Sequence, residues 1–165
     1  MKTETGLCPI ELSWATFQRK VPSGRNDGIV HNVPLRSLRL ELLVPQPAPT
    51  TVMVPICDVA ISGLFKRAKG VTGDQNLHVT LRTTNFPISD PSPIEFEVAL
   101  LANAENVGHT IEVSNANVFV PSAIGSHEFI SEAEFIAGET VLGKAEVQIL
   151  VLVREPENEA LPSKK

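Results

Sequence analysis

The feature that most constrains the fold is a strict alternation of apolar and polar residues that recurs along the chain. In the clearest case, Leu38, Leu40 and Leu42 alternate with Arg39 and Glu41. Successive side chains of a β-strand point to opposite faces of a sheet. This period of two therefore predicts a strand with one face in a core and the other in water.

The same alternation predicts further strands around residues 10–14, 77–82, 94–100 and 147–153, and weaker patterns add 51–61, 109–120 and 128–136. Gly, Pro, Asn and Asp separate these eight segments, as turn residues do. About eight strands in 165 residues predict an all-β fold, a mainly antiparallel β-sandwich that is jelly-roll-like or, as the alternative, immunoglobulin-like. We assign residues 1–153 to this single domain and 154–165 to a solvated C-terminal tail.

Two segments also fit a helix. Ser92, Pro93 and Glu95 have the spacing of a helical capping box, so a helix over 93–107 and an α+β fold are the alternative there. We favour a strand because the sequence Ile-Glu-Phe-Glu-Val that follows Pro93 alternates cleanly. The apolar residues of 128–137 fit a helical face and a strand face equally well.

Four local patterns give further expectations. Pro55 lacks the N–H that a central strand donates, so its strand is expected at a sheet edge or to break there. A change of phase between Ile111 and Val118 predicts a bulge near residues 115–117. Residues 22–32, with a turn signal at 26–28, are expected to form a polar loop. Trp14 shares its alternation with Ile10 and Leu12 and is expected in the core.

Charge is distributed unevenly along the chain. Residues 1–82 hold 10 Lys and Arg against 6 Asp and Glu, a net of +4, whereas residues 83–165 hold 4 against 13, a net of −9. A protomer with a basic and an acidic region can meet its neighbours through unlike patches. This asymmetry favours an interaction protein over an enzyme.

No motif for catalysis or metal binding stands out in the sequence. The four histidines are scattered without the short spacing that places two ligands on one element, and no activated serine or cysteine motif occurs. Cys8 and Cys57 match no zinc or redox spacing, so two free buried thiols are expected. We therefore predict a protein that is not an enzyme and has no catalytic residues, no metal site and no cofactor.

Basic residues form the first candidate site, for nucleic acid. Three of them are close together in one loop, and five precede that loop in the sequence. The candidate set is Lys66, Arg67, Lys69, Arg19, Lys20, Arg25, Arg36 and Arg39. Such side chains contact phosphates if the fold brings them together, although a pI near 5.4 is unfavourable for general nucleic-acid binding.

The second candidate is a surface for self-association. Leu150 and Leu152 lie opposite the apolar face of the last predicted strand, and Ala99 and Leu101 do the same near the end of the 94–100 strand. A strand that is apolar on both faces is buried on both sides within one molecule or contacts another copy. Both readings remain open at this point.

The leading functional hypothesis is a non-enzymatic structural protein that forms a homo-oligomer, such as a viral coat, decoration or matrix component. Nucleic-acid binding or transport through the loop at 66–69 is one alternative. Binding of a small ligand or glycan, with Trp14 as the stacking residue, is another. The first residues lack a signal peptide and no run is long enough to span a membrane, so we expect an intracellular, cytoplasmic protein or, if viral, a virion component.

Overall fold

The computed structural model describes residues 8–25, 28–56, 58–84, 93–113 and 116–157. Within these ranges the chain forms strands and no helix. The strands are β1 (Ile10–Pro22), β2 (Val30–Pro34), β3 (Ser37–Leu43), β4 (Thr51–Ile56), β5 (Val59–Arg67), β6 (Gln75–Thr84), β7 (Ile94–Leu100), β8 (Asn106–Val113), β9 (Ala116–Pro121), β10 (Gly125–Ala137) and β11 (Thr140–Arg154).

The strands form two main sheets and a short ribbon. Sheet A has the order β2-β1-β5-β8 and is antiparallel throughout. Sheet B has the order β3-β11-β10-β6-β7, and only its β3–β11 pair is parallel. Strands β4 and β9 pair with each other as a two-stranded ribbon. The predicted all-β, mainly antiparallel sandwich is confirmed, whereas the finer choice between jelly-roll-like and immunoglobulin-like stays a prediction.

Two segments that also fit a helix are strands in the structure. Residues 94–100 form β7, which pairs with β6, so the helix over 93–107 and the α+β alternative are wrong. Residues 125–137 form β10, which pairs with β11 on one side and β6 on the other. Pairing with neighbouring strands and burial of one face decide both cases, and neither is visible in a single segment.

Several expectations require correction because the chain changes sheets where the sequence suggested one long strand. Residues 51–61 divide into β4 and β5 at Asp58, which has a positive φ of 62°. The phase change before Val118 arises because β8 belongs to sheet A and β9 to the ribbon; residues 114 and 115 lie outside the described residues. Strand β2 begins at Val30, within the predicted polar loop of 22–32, and the described residues form eleven strands where about eight were predicted.

Trp14 is not in the core. Leu12 pairs with Phe65 and Trp14 with Leu64, so Ser13 is an extra residue that forms a β-bulge in β1. A bulge reverses the alternation of side chains that follow it. Trp14 therefore lies on the outer face of sheet A and is 47% exposed.

Aromatic rings join the two sheets at the centre of the core. Phe65 of sheet A packs edge-to-face against Phe135 and Phe96 of sheet B, with ring centroids 5.8 and 6.3 Å apart. Gly63 makes room for them, since a Cβ there would lie 3.2 Å from both the Phe65 and Phe135 rings. Edge-to-face pairs and their large buried area make this cluster a main contributor to stability.

A second contact closes the sandwich along β1 and β11. Leu12 packs directly over Gly143, where an added Cβ would approach the leucine Cδ2 atom to 2.7 Å.

No helix within the described ranges is long and apolar enough to cross a membrane. Cys8 is a half-buried free thiol, and Cys57 lies outside the described residues. Strand β11 ends at Arg154 and residues 155–157 have no regular structure.

Candidate functional site

The two leucines predicted for self-association lie on the outer face of sheet B. Ile149 and Val151 point into the core and are 0% and 1% exposed, whereas Leu150 and Leu152 point away from it and are half-buried. Ala99 and Leu101 are exposed on the same side, but they belong to β7 and the residue after it. Strands β10 and β6 lie between β11 and β7, so the four predicted residues do not form one patch.

Leu150 and Leu152 form the floor of a shallow depression of about 470 Å³. Arg39 and Glu41 of the neighbouring strand β3 line one side of it, and Ser126 of β10 lines the other. An ion pair of 3.3 Å between Arg154 and Glu41 lies along the same strands. The depression thus combines an aliphatic floor with a polar rim, which is the usual composition of a protein interface.

The outer face of sheet B carries a surplus of negative charge. The described residues there include seven glutamates and four basic residues, a net of −3. They are Glu41, Glu95, Glu97, Glu128, Glu132, Glu134 and Glu146 against Arg39, Arg82, Lys144 and Arg154. Two pairs of glutamates that are two residues apart, Glu95 with Glu97 and Glu132 with Glu134, both belong to this surface.

Lys144 is held between two of these carboxylates. Its Nζ atom lies 2.7 Å from Glu132 Oε1 and 2.6 Å from Glu146 Oε1. The hydrogen bond to Glu132, followed by that to Glu146, raises the pKa of the Lys144 ammonium. The hydrogen bond from Lys144 lowers the pKa of Glu146. All three groups are in contact with water, so the cluster sets local charge more than it stabilises the fold.

Replacement of Lys144 by methionine is expected to raise the pKa of Glu146 towards its ordinary value, because the donor that stabilises its charged form is lost. In the native protein this interaction is fully present above the ordinary glutamate pKa and is lost as the pH falls through the lowered one. An NMR titration of the side-chain carboxyl carbon measures the shift. Lys69→Met is the control and should leave the Glu146 titration unchanged.

A β-hairpin extends sheet A beyond its central strand. We call residues 18–22 of β1 and 30–34 of β2 the hairpin arm; they pair from Gln18 with Pro34 to Pro22 with Val30. Pairing between β1 and β5 ends at Arg19 and Val59, so the last three residues of β1 have no partner in β5. Strand β2 is the edge of sheet A.

Apolar side chains are exposed on both faces of the hairpin arm. Val21 and Val33 continue the face from which Phe17 enters the core, yet they are 41% and 44% exposed. Val30, on the opposite face, is 54% exposed. All five residues of β2 are exposed. An edge strand with this composition is a site at which another chain can pair or pack.

The structure places the loop basic residues in contacts within the molecule. Lys66 Nζ lies 3.4 Å from Glu11 Oε2. The Arg67 guanidinium donates to the carbonyl oxygens of Gly73, at 2.5 Å, and Leu101, at 2.7 Å. Lys69 is exposed in the turn after β5. Two of the three loop cations thus have acceptors of their own.

The other five predicted basic residues lie elsewhere. Because Glu11 pairs with Lys66 and Arg19 with Val59, the hairpin arm is at the opposite end of β5 from the loop. Arg19, Lys20 and Arg25 belong to the arm or its turn, and Lys20 Nζ contacts Glu112 at 2.5 Å. Arg36 precedes β3 and Arg39 lies on sheet B. The fold does not bring the eight residues into one surface.

The histidines are also apart. His78 faces outward from sheet B, 3.6 Å from Glu95, whereas His109 packs against the Phe96 ring with centroids 4.8 Å apart. Across the described part of the chain, no group of three His, Cys, Asp or Glu side chains is arranged to hold a metal ion.

Sequence reasoning missed the hairpin arm because its strands are short and flanked by turn residues. Val30 and Val33 gave no alternation to follow, since they are three residues apart and lie on opposite faces of β2. No protein-family model matches the chain, and no curated protein is detectably similar to it in sequence.

Proposed function

We propose that the protein is a non-enzymatic structural protein that assembles with copies of itself. The observation that carries the proposal is the hairpin arm, whose valines are exposed on both faces. Burial of apolar surface is favourable by roughly 25 cal/mol per Å². A partner that covers Val21 and Val33 would therefore gain energy that the isolated chain leaves unused.

Charge supports a second copy as that partner. The hairpin arm and its turn carry Arg19, Lys20 and Arg25, while the described residues on the outer face of sheet B have a net charge of −3. That face also offers the depression floored by Leu150 and Leu152. We place the arm of one copy on the outer face of sheet B of the next, with the valines over the leucines.

Such a contact joins two different surfaces and is therefore heterologous. Heterologous contacts close into rings or continue as lattices and filaments. Viral coat, decoration and matrix proteins are building blocks of this kind, and we propose a role of this type for the protein.

The mass of the nuclease-treated protein, measured by light scattering after size exclusion, tests the proposal. At low salt we expect a multiple of 17.8 kDa. Added salt should shift the protein towards smaller species because it screens the contact between basic arm and acidic face. The variant Val33→Glu, which places a carboxylate in that contact, should give a folded monomer.

Val141→Glu is the matched control, since Val141 is 52% exposed near the start of β11, where it pairs with Ile136, at the end of this strand remote from Leu150. It should assemble like the native protein. A native monomer of 17.8 kDa at every salt and protein concentration would overturn the proposal. Equal loss of assembly in both variants would show that the arm has no particular role.

A further inference from the structure

The bulge in β1 turns the only tryptophan of the chain towards solvent. Regular alternation would have placed Trp14 inside with Leu12, but the extra Ser13 places it on the outer face at 47% exposure. Bulges that re-aim a side chain are frequent next to functional sites. An outward indole offers a flat apolar surface on which a ring can stack.

A cavity of about 590 Å³ opens on the same sheet, and two neighbours of Trp14 line it although Trp14 itself does not. Ser13 and Leu64, which are the chain neighbour and the cross-strand partner of Trp14, both line it. Asn103 and Asn106, from the connection between β7 and β8 and the start of β8, line the other side. This volume lies within the range that small-molecule sites occupy.

Gly108 leaves further space in the same row of the sheet. It pairs with Leu64 on the side opposite Trp14, so the three residues cross the outer face of sheet A in one line. A Cβ at Gly108 would meet nothing within 4 Å, and its φ is not positive. Neither packing nor backbone conformation requires glycine here, and its effect is to keep the surface beside Leu64 open.

Hydrogen bonds fix the wall of the cavity. The Arg67 guanidinium donates to the carbonyl oxygens of Leu101 and Ala104, at 2.7 and 3.4 Å. The Ala102 amide donates to Asp74 Oδ1 at 2.7 Å. Because this wall is already ordered before binding, the entropic cost of binding a ligand is lower.

Charge at the cavity favours an uncharged ligand. Lys66 and Arg67 line it together with Glu105, and Glu11 lies 3.4 Å from the Lys66 ammonium, so positive and negative charges balance. A phosphate would add charge that nothing opposes. Asn103 and Asn106 supply amide donors and acceptors, which suit hydroxyl groups.

We propose that this cavity and the neighbouring Trp14 indole together bind a neutral carbohydrate, with one face of a sugar ring on the indole and hydroxyl groups of the carbohydrate towards Asn103 and Asn106. The site lies near the end of the β1–β5 pair that is remote from the hairpin arm, whereas the assembly contact proposed above uses that arm and sheet B. The two proposals can therefore fail separately.

The single tryptophan makes intrinsic fluorescence a direct reporter of this site. The probes are neutral mono- and trisaccharides of glucose, galactose, mannose and N-acetylglucosamine, chosen after a screen on a glycan array. We expect a saturable change in Trp14 emission with at least one of them. Gly108→Ile should weaken this binding at least about tenfold, which corresponds to roughly 1.4 kcal/mol.

Gly108→Ile keeps the tryptophan and suits a strand, so its thermal midpoint should not fall. Asn76→Ile, at an exposed strand position on the other sheet, is the matched control and should bind normally. Absence of saturable binding to every neutral saccharide would overturn the proposal. So would unchanged binding by Gly108→Ile, or binding of a nucleotide or oligonucleotide in place of neutral sugars.

Discussion

Replacement of Phe135 by alanine is expected to lower the free energy of unfolding by about 3–5 kcal/mol, the usual cost of removing a fully buried phenyl ring. Phe135 is 0% exposed and contacts both Phe65 and Phe96, so its loss leaves a cavity between the two sheets. Because Phe65 belongs to the other sheet, the cavity would weaken the contact that holds the sandwich together. Urea unfolding followed by far-ultraviolet circular dichroism measures the change.

Phe119→Ala provides the comparison for this variant. Phe119 is 55% exposed on the outer side of the β4–β9 ribbon, opposite Met53. Substitutions at exposed positions usually change stability by about 0.5 kcal/mol or less. A loss at Phe135 no larger than the loss at Phe119 would contradict the packing described for the core.

Glutamate at two adjacent positions of β11 is expected to give opposite results. Ile149 is fully buried, and a carboxylate there would have no partner in the core, so Ile149→Glu should destabilise the fold by about 4–5 kcal/mol. Leu150 points outward, and Leu150→Glu should remain folded at a cost of about 1 kcal/mol. Thermal unfolding distinguishes the two variants.

The same pair tests the proposed assembly contact. Leu150 forms part of the apolar floor of the depression on sheet B. A carboxylate there would not repel Arg39 or the basic hairpin arm, but it would remove this apolar floor. We therefore expect a folded monomer from Leu150→Glu in light scattering. Global unfolding of this variant would place Leu150 in the core, and normal assembly would exclude the depression from the contact.

Most strands could be predicted because alternation is a local property of the sequence. Leu38, Leu40 and Leu42 pack inward from β3 as their spacing requires. Trp14 could not be placed in this way, because a single bulged residue reverses every side chain after it and bulges leave little trace in composition. The pairing partners were also inaccessible, since the parallel contact of β3 with β11 joins segments about a hundred residues apart.

The candidate surfaces were predictable in part. Because both faces of β11 are apolar, the sequence left burial and self-association open for Leu150 and Leu152. In the structure Ile149 and Val151 occupy the core, so the two leucines lie on the outer face. Of the eight basic residues only Lys66, Arg67 and Lys69 share one predicted loop, and the others could join them only through the fold. In the structure, Arg19 and Lys66 lie at opposite ends of β5, since an antiparallel partner reverses direction.

The central position of β11 has a consequence for the order of folding. This strand is synthesised after β1 to β10, yet it lies between β3 and β10 in sheet B and pairs with both. Before β11 is synthesised, β3 has no partner strand in its sheet and one edge of β10 is unpaired. Long-range pairing of this kind slows folding and exposes strand edges in the meantime. The nascent chain must therefore keep β3 without a sheet partner and one edge of β10 open until residues 140–154 leave the ribosome.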